Sequence, residues 1–228
     1  MNLLNGDFLD IHPNIFGTEN VSLVMYSLIR SIRPKKLIEV GAGYTTFFIL
    51  KSLIDIKKEI EREIKNKNIT EYFEGEFYDY VREWADYSPN LTVVEDFSHE
   101  DTPKNLKSKL VENGLSDYCT FIQSDLFEYI DKLKDQNYDF VWLDYGDGPT
   151  FFDVFKFFFE NLNENGIIVF HSTESNLWGR YFTSQVKLLQ KSRDDIEMIT
   201  VLEPHKHFQN SFSIFRKTAN NPIHSIDS

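Results

Sequence analysis

What most constrains this chain is an alternation of short apolar runs, each ending on a polar residue or a glycine, with longer stretches of helical spacing. The runs are residues 36–40, 91–94, 119–122, 139–143 and 166–170; they end at Gly41, Glu95, the Gln123-Ser124-Asp125 step, Asp144 and His171. Between them, residues 103–113, 126–134 and 151–162 place apolar side chains at three- and four-residue steps, the helical period, the last with Pro149 near its start and Asn165-Gly166 as its stop. Such alternation predicts a parallel sheet covered on both faces. A helix over 19–32, closed by Pro34, precedes the first strand. After another helix over 181–191, the runs 197–202 and 211–215 are separated by Asn and His residues, which predicts a loop joining antiparallel neighbours.

In open α/β sheets a ligand lies outside the carboxyl ends of the strands, so the residues that follow strands one to five are expected to share one rim. One stretch exceeds a minimal unit. Gly43 to Glu95 spans 95 − 43 = 52 residues, where a strand–helix–strand unit needs about 30. The surplus, 68–90, carries Tyr72, Phe73, Phe77, Tyr78, Tyr80, Trp84 and Tyr87. It reads as an inserted helix with turns, either a packing element over the sheet edge or a lid.

Composition narrows the classes. The 228 residues, 41% hydrophobic and 26% charged, suit a single globular domain, 1–228, with an N-terminal helical segment over 1–34. The net charge is 24 − 36 = −12, a field that repels phosphate backbones, so no nucleic-acid partner is expected. Cys119 is the only cysteine, which excludes an intramolecular disulfide and a multi-cysteine metal site. No run approaches about 18 apolar residues, so no membrane span is expected. The opening residues 1–14 lack a basic n-region, and the cytoplasm is the default location. The Phe-rich run 151–159 reads first as core and second as the face of a homodimer.

The stretch Glu39-Val-Gly41-Ala-Gly43-Tyr-Thr45-Thr46 carries the most chemistry. Glycines between a strand and a helix permit a tight bend and let a ligand approach the backbone, where the helix N-terminus offers N–H groups. A dinucleotide site, and with it an NAD-dependent oxidoreductase, wants a third glycine where Thr46 stands and a strand-end acid about 20 residues on; here those residues fall in a charged helix. A non-catalytic nucleotide-binding or scaffold protein has no use for acids at the strand ends.

From about Thr18 to Lys217 the chain resembles the class I S-adenosylmethionine-dependent methyltransferases, in particular their small-molecule branch. The resemblance rests on Glu39-x-Gly41-x-Gly43, an acid after the second strand, Asp125 after the third, and the closing strand pair. It implies a Rossmann-like, doubly wound, seven-stranded sheet, mostly parallel with the last strand antiparallel, and S-adenosyl-L-methionine as cofactor. Thr45 stands where the broader family commonly has a third glycine. The resemblance assigns the cofactor's ammonium to Glu39, with Asp144 as another candidate, and its ribose hydroxyls to Glu95 or, failing it, Asp96. It assigns the adenine to Asp125, flanked by Leu126 and Phe97, and the methionine carboxylate to Thr45 and Thr46, around Gly41, Ala42 and Gly43. A carboxylate suits a pair of hydroxyls because it only accepts. Asp125 is equally suited to cap the helix that follows it.

Methyl transfer needs alignment of nucleophile, methyl and sulfur; a hydroxyl acceptor also needs a base, whereas an amine needs only its lone pair. His171 is the sequence's best base and Asp144 its orienting partner. Tyr145, Asp147, Trp178 and His207 are candidate substrate residues, with His12, Tyr26, Trp84, Arg180 and His205 as weaker ones. A metal-dependent branch of the family carries carboxylates and an amide at these strand ends. His171-Ser172 departs from that pattern, so no metal is assigned, although Asp144, Asp147 and His171 are a conceivable donor set. The expected activity is methylation of a small-molecule acceptor, on oxygen first and nitrogen second.

Overall fold

The computed structural model describes residues 18–66, 74–98 and 105–219. Its elements are α1 (Glu19–Ile32), β1 (Lys36–Val40), α2 (Tyr44–Asn66), α3 (Glu74–Trp84), β2 (Asn90–Val94), α4 (Leu106–Glu112), β3 (Cys119–Ile122), α5 (Leu126–Tyr129), β4 (Tyr138–Leu143), α6 (Phe151–Glu160), β5 (Leu162–His171), α7 (Leu177–Leu189), β6 (Ile196–Leu202) and β7 (Ser211–Lys217). The strands form a seven-stranded sheet in the order β3-β2-β1-β4-β5-β7-β6. β2–β3 and β4–β5 pair in parallel, whereas β7 runs antiparallel to both β5 and β6. This is the Rossmann-like sheet with the antiparallel last strand that the resemblance implies. The chain groups into two compact units, described in turn.

The first unit comprises the described residues of Met1–Leu37 and Ala42–Gln123. α1 buries Val21, Ser22, Met25, Tyr26 and Ile29, the three- and four-residue spacing of one helical face. It ends on Arg33, whose left-handed backbone turns its N–H to the Ile29 carbonyl just before Pro34. α1 meets α2 through Tyr26, whose hydroxyl donates to Asp55, and through Arg30, which pairs with Glu59 at 2.9 Å. Tyr26 is 6% exposed, and burial with the Asp55 bond pushes its phenol up to about 12. It is a packing residue rather than a substrate wall.

The inserted segment forms α3, and its described contacts are those of a packing helix. Arg33 donates to the Tyr80 hydroxyl, which also bonds Glu63. The Trp84 ring lies under the Arg33 and Lys35 cations and against Tyr87, whose hydroxyl donates to the Pro34 carbonyl. Trp84 is thus spent on α1's end. His12, Tyr72 and Phe73 lie outside the described residues.

The second unit comprises Ile38–Gly41 and Ser124–Ser228 as far as described. Its core is aromatic. Phe155 meets Phe215 at 4.7 Å between ring centres, Phe170 meets Phe182 at 4.8 Å, and Phe151 meets Phe170 at 5.0 Å. Such pairs add about 0.5–1.5 kcal/mol each beyond the area they bury. Phe151, Phe155, Phe158 and Phe159 are all buried, so this side of the Phe-rich helix is core.

Three boundaries differ from the sequence expectation. α6 stops at Glu160 and β5 begins at Leu162, because Asn165-Gly166 is a bulge inside the strand rather than a helix stop. Asn165 is left-handed (φ 63°), and Tyr138 pairs with Leu162 while Phe140 pairs with Ile167. α7 begins at Leu177, four residues early, since Asn176 caps it by accepting the Gly179 N–H at 2.9 Å. The 126–134 helix is one α turn followed by a 3₁₀ turn over Ile130–Leu133.

Candidate active site

β1 delivers the chain into the glycine turn with Glu39 fully buried on its last turn-facing residues. Gly41 has φ +88°, and a Cβ there would lie 2.0 Å from the Asp144 carbonyl oxygen. Only glycine fits, for conformational and steric reasons together. Gly43 is different. Its φ lies outside the left-handed range, and a Cβ would meet nothing within 4 Å. The protein alone does not require glycine here, so the open space beside the backbone is what a ligand's approach would use.

Glu95, following β2, is buried and reaches back to this turn. Its Oε2 accepts the Ala42 N–H at 2.8 Å and its Oε1 the Phe97 N–H at 2.7 Å. The second bond needs the left-handed Phe97 backbone, φ 57°. Burial pushes the Glu95 carboxyl above its ordinary range, with the two N–H bonds opposing. A carboxylate has about four acceptor sites, so two remain for a diol. Asp96 is exposed, accepts the Ser98 N–H at 2.8 Å, and is lowered by that bond. Of the two acids, Glu95 is the one joined to the turn.

The threonines are less open than expected. Thr45 and Thr46 are buried, and Thr46 Oγ1 accepts the Gly43 N–H at 3.0 Å, closing the first turn of α2. Asp125 is exposed and caps α5 by accepting the Phe127 N–H at 2.7 Å, with Leu126 buried behind it. Phe97 stacks on Phe121.

In the second unit Asp144 and His171 meet. β4 and β5 are parallel neighbours with Leu143 beside Phe170, so the residues that follow lie side by side. The His171 Nδ1–H donates to Asp144 Oδ1 at 2.9 Å, since an ionised carboxylate only accepts. The imidazole is 1% exposed and the Asp144 side chain 35%. His171 Nε2 is buried with no hydrogen-bond partner among the described residues, and the ring lies 5.7 Å from that of Trp142. The backbone of Asp144 is tied to the glycine turn by its N–H to the Val40 carbonyl, 2.9 Å.

Of the candidate substrate residues, Tyr145 is packed. Its hydroxyl meets Thr150 Oγ1 at 2.6 Å, its ring stacks on Phe170, and burial raises its phenol pKa. Asp147 is exposed and accepts from Thr150. Trp178 is half-exposed and lies on Gly148, where a Cβ would come within 2.5 Å of the indole. His207 is exposed in the β6–β7 loop. Among the described residues no three His, Cys, Asp or Glu side chains are grouped to hold a metal ion. Among the same residues no helix is long and apolar enough to cross a membrane.

Sheet order, glycine turn and strand-end acids together define a class I methyltransferase fold. The model of the family described as "Methyltransferase domain" matches residues 38–173, which is 136 of the 228 residues, and the chain belongs to that family. It is a methyltransferase whose methyl donor is S-adenosylmethionine. Solved structures share the fold at low identity. The O-methyltransferase TomG from Streptomyces achromogenes, in complex with S-adenosylmethionine, superposes with a TM-score of 0.67 at 11% identity, covering 94% of this chain and 90% of TomG. An O-methyltransferase from Bacillus cereus, in complex with S-adenosylhomocysteine, gives 0.64 at 11%, covering 93% and 89%. Methyltransferase PaMTH1 of Podospora anserina gives 0.57 at 14%, covering 94% and 82%. No curated protein matches the chain by sequence.

The residues present fit the donor. Gly43 leaves backbone open to it, and Glu95 keeps acceptor sites beside the same turn. The hydroxyls of Ser211 and Ser175, bonded to each other at the turn after His171, have no signature in the sequence, since single serines carry no pattern.

Proposed function

We propose that the protein transfers the methyl group of S-adenosylmethionine to a hydroxyl of a small-molecule acceptor in the cytoplasm. When bound, the donor supplies an electrophilic methyl on sulfur. Glu95 takes the ribose hydroxyls, Ala42 and Gly43 line the donor with backbone, and Glu39 balances the ammonium. Thr45 serves the methionine carboxylate, and Asp125 with Leu126 serves the adenine.

The observation that carries the choice of oxygen is the Asp144–His171 pair. An amine acceptor has no need of it, while a hydroxyl loses a proton as it is methylated, and a positioned base is worth about 10²–10⁴ in rate. Exposure suggests the division of labour. Asp144 faces outward and takes the acceptor's proton, and buried His171 holds that carboxylate in one orientation. This reverses the order that sequence alone suggests. TomG and the Bacillus cereus protein are O-methyltransferases, which agrees with oxygen. Asp147, Trp178 and His207 are exposed where an acceptor can be met; the lone Cys119 suits a reducing compartment.

The test uses the full-length protein with methyl-labelled S-adenosylmethionine and a panel of small phenols, alcohols and amines. Label should appear on hydroxyls, and S-adenosylhomocysteine should raise the melting temperature by mass action while NAD does not. Stabilisation by NAD alone, or label on amines only, would overturn the reading.

A further inference from the structure

We propose that Ser211, the first residue of β7, is a positioning residue that holds the His171–Asp144 pair in register; this rests on the role given to that pair above. The starting observation is strain. Ser172, immediately after His171, has φ +59°. A left-handed backbone is unfavourable for a non-glycine residue, and such residues persist only where the surroundings over-determine them.

Here the surroundings do so, and they converge on one serine. β5 and β7 are antiparallel with His171 opposite Phe212, so Ser211 faces the turn that leaves β5. Its carbonyl accepts the Ser172 N–H at 2.7 Å. Its hydroxyl accepts the Glu174 N–H at 2.8 Å and meets the Ser175 hydroxyl at 3.0 Å. Ser175 Oγ in turn accepts the Asn210 N–H at 3.0 Å, which closes the ring of bonds back onto the residue before Ser211. Ser211 is fully buried. From the other side the turn is held by Gly179, where a Cβ would lie 2.5 Å from the Ser172 carbonyl oxygen.

A serine serves here because one small hydroxyl can accept from a backbone N–H and still bond a second hydroxyl. The hydroxyl holds Glu174 and Ser175 while the carbonyl holds the Ser172 N–H, so Ser211 grips the turn that leaves His171 at both of its ends. The Ser172 N–H belongs to the peptide plane that carries the His171 carbonyl, so fixing Ser172 fixes the plane from which the imidazole is aimed at Asp144. At Ser213, further along β7, three more hydroxyls form a chain of two bonds, Thr173 to Ser213 (2.7 Å) and Ser213 to Thr200 (2.8 Å), that leads away from the turn.

The experiment reads the His171 Nδ1–H proton directly. In full-length, nitrogen-15-labelled protein that resonance is assigned by its loss in His171→Gln, and its exchange with solvent is timed. Ser211→Ala should accelerate exchange by about tenfold or more while S-adenosylhomocysteine still binds. Thr200→Val, which removes the hydroxyl at the far end of those two bonds, should leave the rate within about twofold. If Ser211→Ala does not fold, Ser175→Ala loosens the same ring and should accelerate exchange likewise. Unchanged exchange in a folded Ser211 or Ser175 variant overturns the proposal, as does equal acceleration by Thr200→Val, which would mark general loosening. Loss of S-adenosylhomocysteine binding by the unaltered protein would instead overturn the methyl-donor reading, leaving the proton measurement to stand by itself.

Discussion

Gly41 and Asp144 touch so closely that no side chain fits between them: a Cβ on Gly41 would sit 2.0 Å from the Asp144 carbonyl oxygen, and the Asp144 N–H bonds the residue before the glycine. The glycine turn and the outward carboxylate are therefore joined through backbone. A motif that reads as a ligand cradle is, at its first glycine, a packing requirement of β4.

That distinction separates the two glycines experimentally. Gly41→Ala forces a left-handed alanine, costing about 1–2 kcal/mol before the overlap is counted. At about 2–4 °C per kcal/mol for a chain of this length, the melting temperature should fall by about 4 °C or more. Gly43→Ala meets nothing in the protein and should melt within about 1 °C of the parent, yet weaken S-adenosylhomocysteine about tenfold or more in calorimetry. The opposite pattern would show that the open space at Gly43 is not used.

Glu95 should make donor binding pH-dependent. Its protonated form loses acceptor capacity, so affinity falls as pH drops through its titration. Because burial raises its pKa, the fall begins above the ordinary glutamate value of about 4.3. Stability moves the other way: proton uptake by the folded state at a raised pKa favours folding below the ordinary value and is lost as pH rises through the folded one. Titration calorimetry across pH 4–7 reads the first effect, and an affinity flat over that range would remove Glu95 from the site.

Asp144 and His171 should behave as one device. Asp144→Ala should lower turnover by about 10²-fold, and His171→Ala should approach it. The double variant should be little worse than either, as groups that act together are not additive. Independent, multiplying losses would mean that the hydrogen bond between them has no part in the reaction.

Away from the site, Arg193 grips Asp195 through two nitrogens at 2.8 and 2.6 Å and reaches Glu160 at 2.6 Å. The guanidinium holds the buried Asp195 carboxyl below its usual range. The stability this contributes is present above the unfolded value near 3.8 and is lost as pH falls through the lowered one. Arg193→Met should cost about 1.5–3 kcal/mol at pH 7 and progressively less in acid, measured by urea unfolding. A cost independent of pH would assign it to packing on Phe159 instead.

The cap of α7 offers a simpler check. Asn176→Ala should cost about 1 kcal/mol, seen as a drop of about 2–4 °C in melting temperature. No drop would mean that α7 is held by its packed face alone.

Much of this molecule is written locally. Apolar runs with a period too short for helices, each closed by Gly41, Glu95, Asp144 or His171, specify strands and strand ends, because backbone period and turn chemistry depend on neighbours a few residues away. The family resemblance and the glycine turn came from the same local signal. Tertiary structure decided what local pattern cannot express. Which of Glu95 and Asp96 reaches Ala42 depends on a left-handed Phe97; whether Asn165-Gly166 stops a helix or bulges a strand depends on the pairing of Tyr138 with Leu162. Whether His171 or Asp144 faces outward depends on burial beneath Trp142, and the serine that pins the turn after His171 lies 40 residues further along. Those outcomes rest on contacts between distant segments, and a contact has no signature until folding brings both partners together.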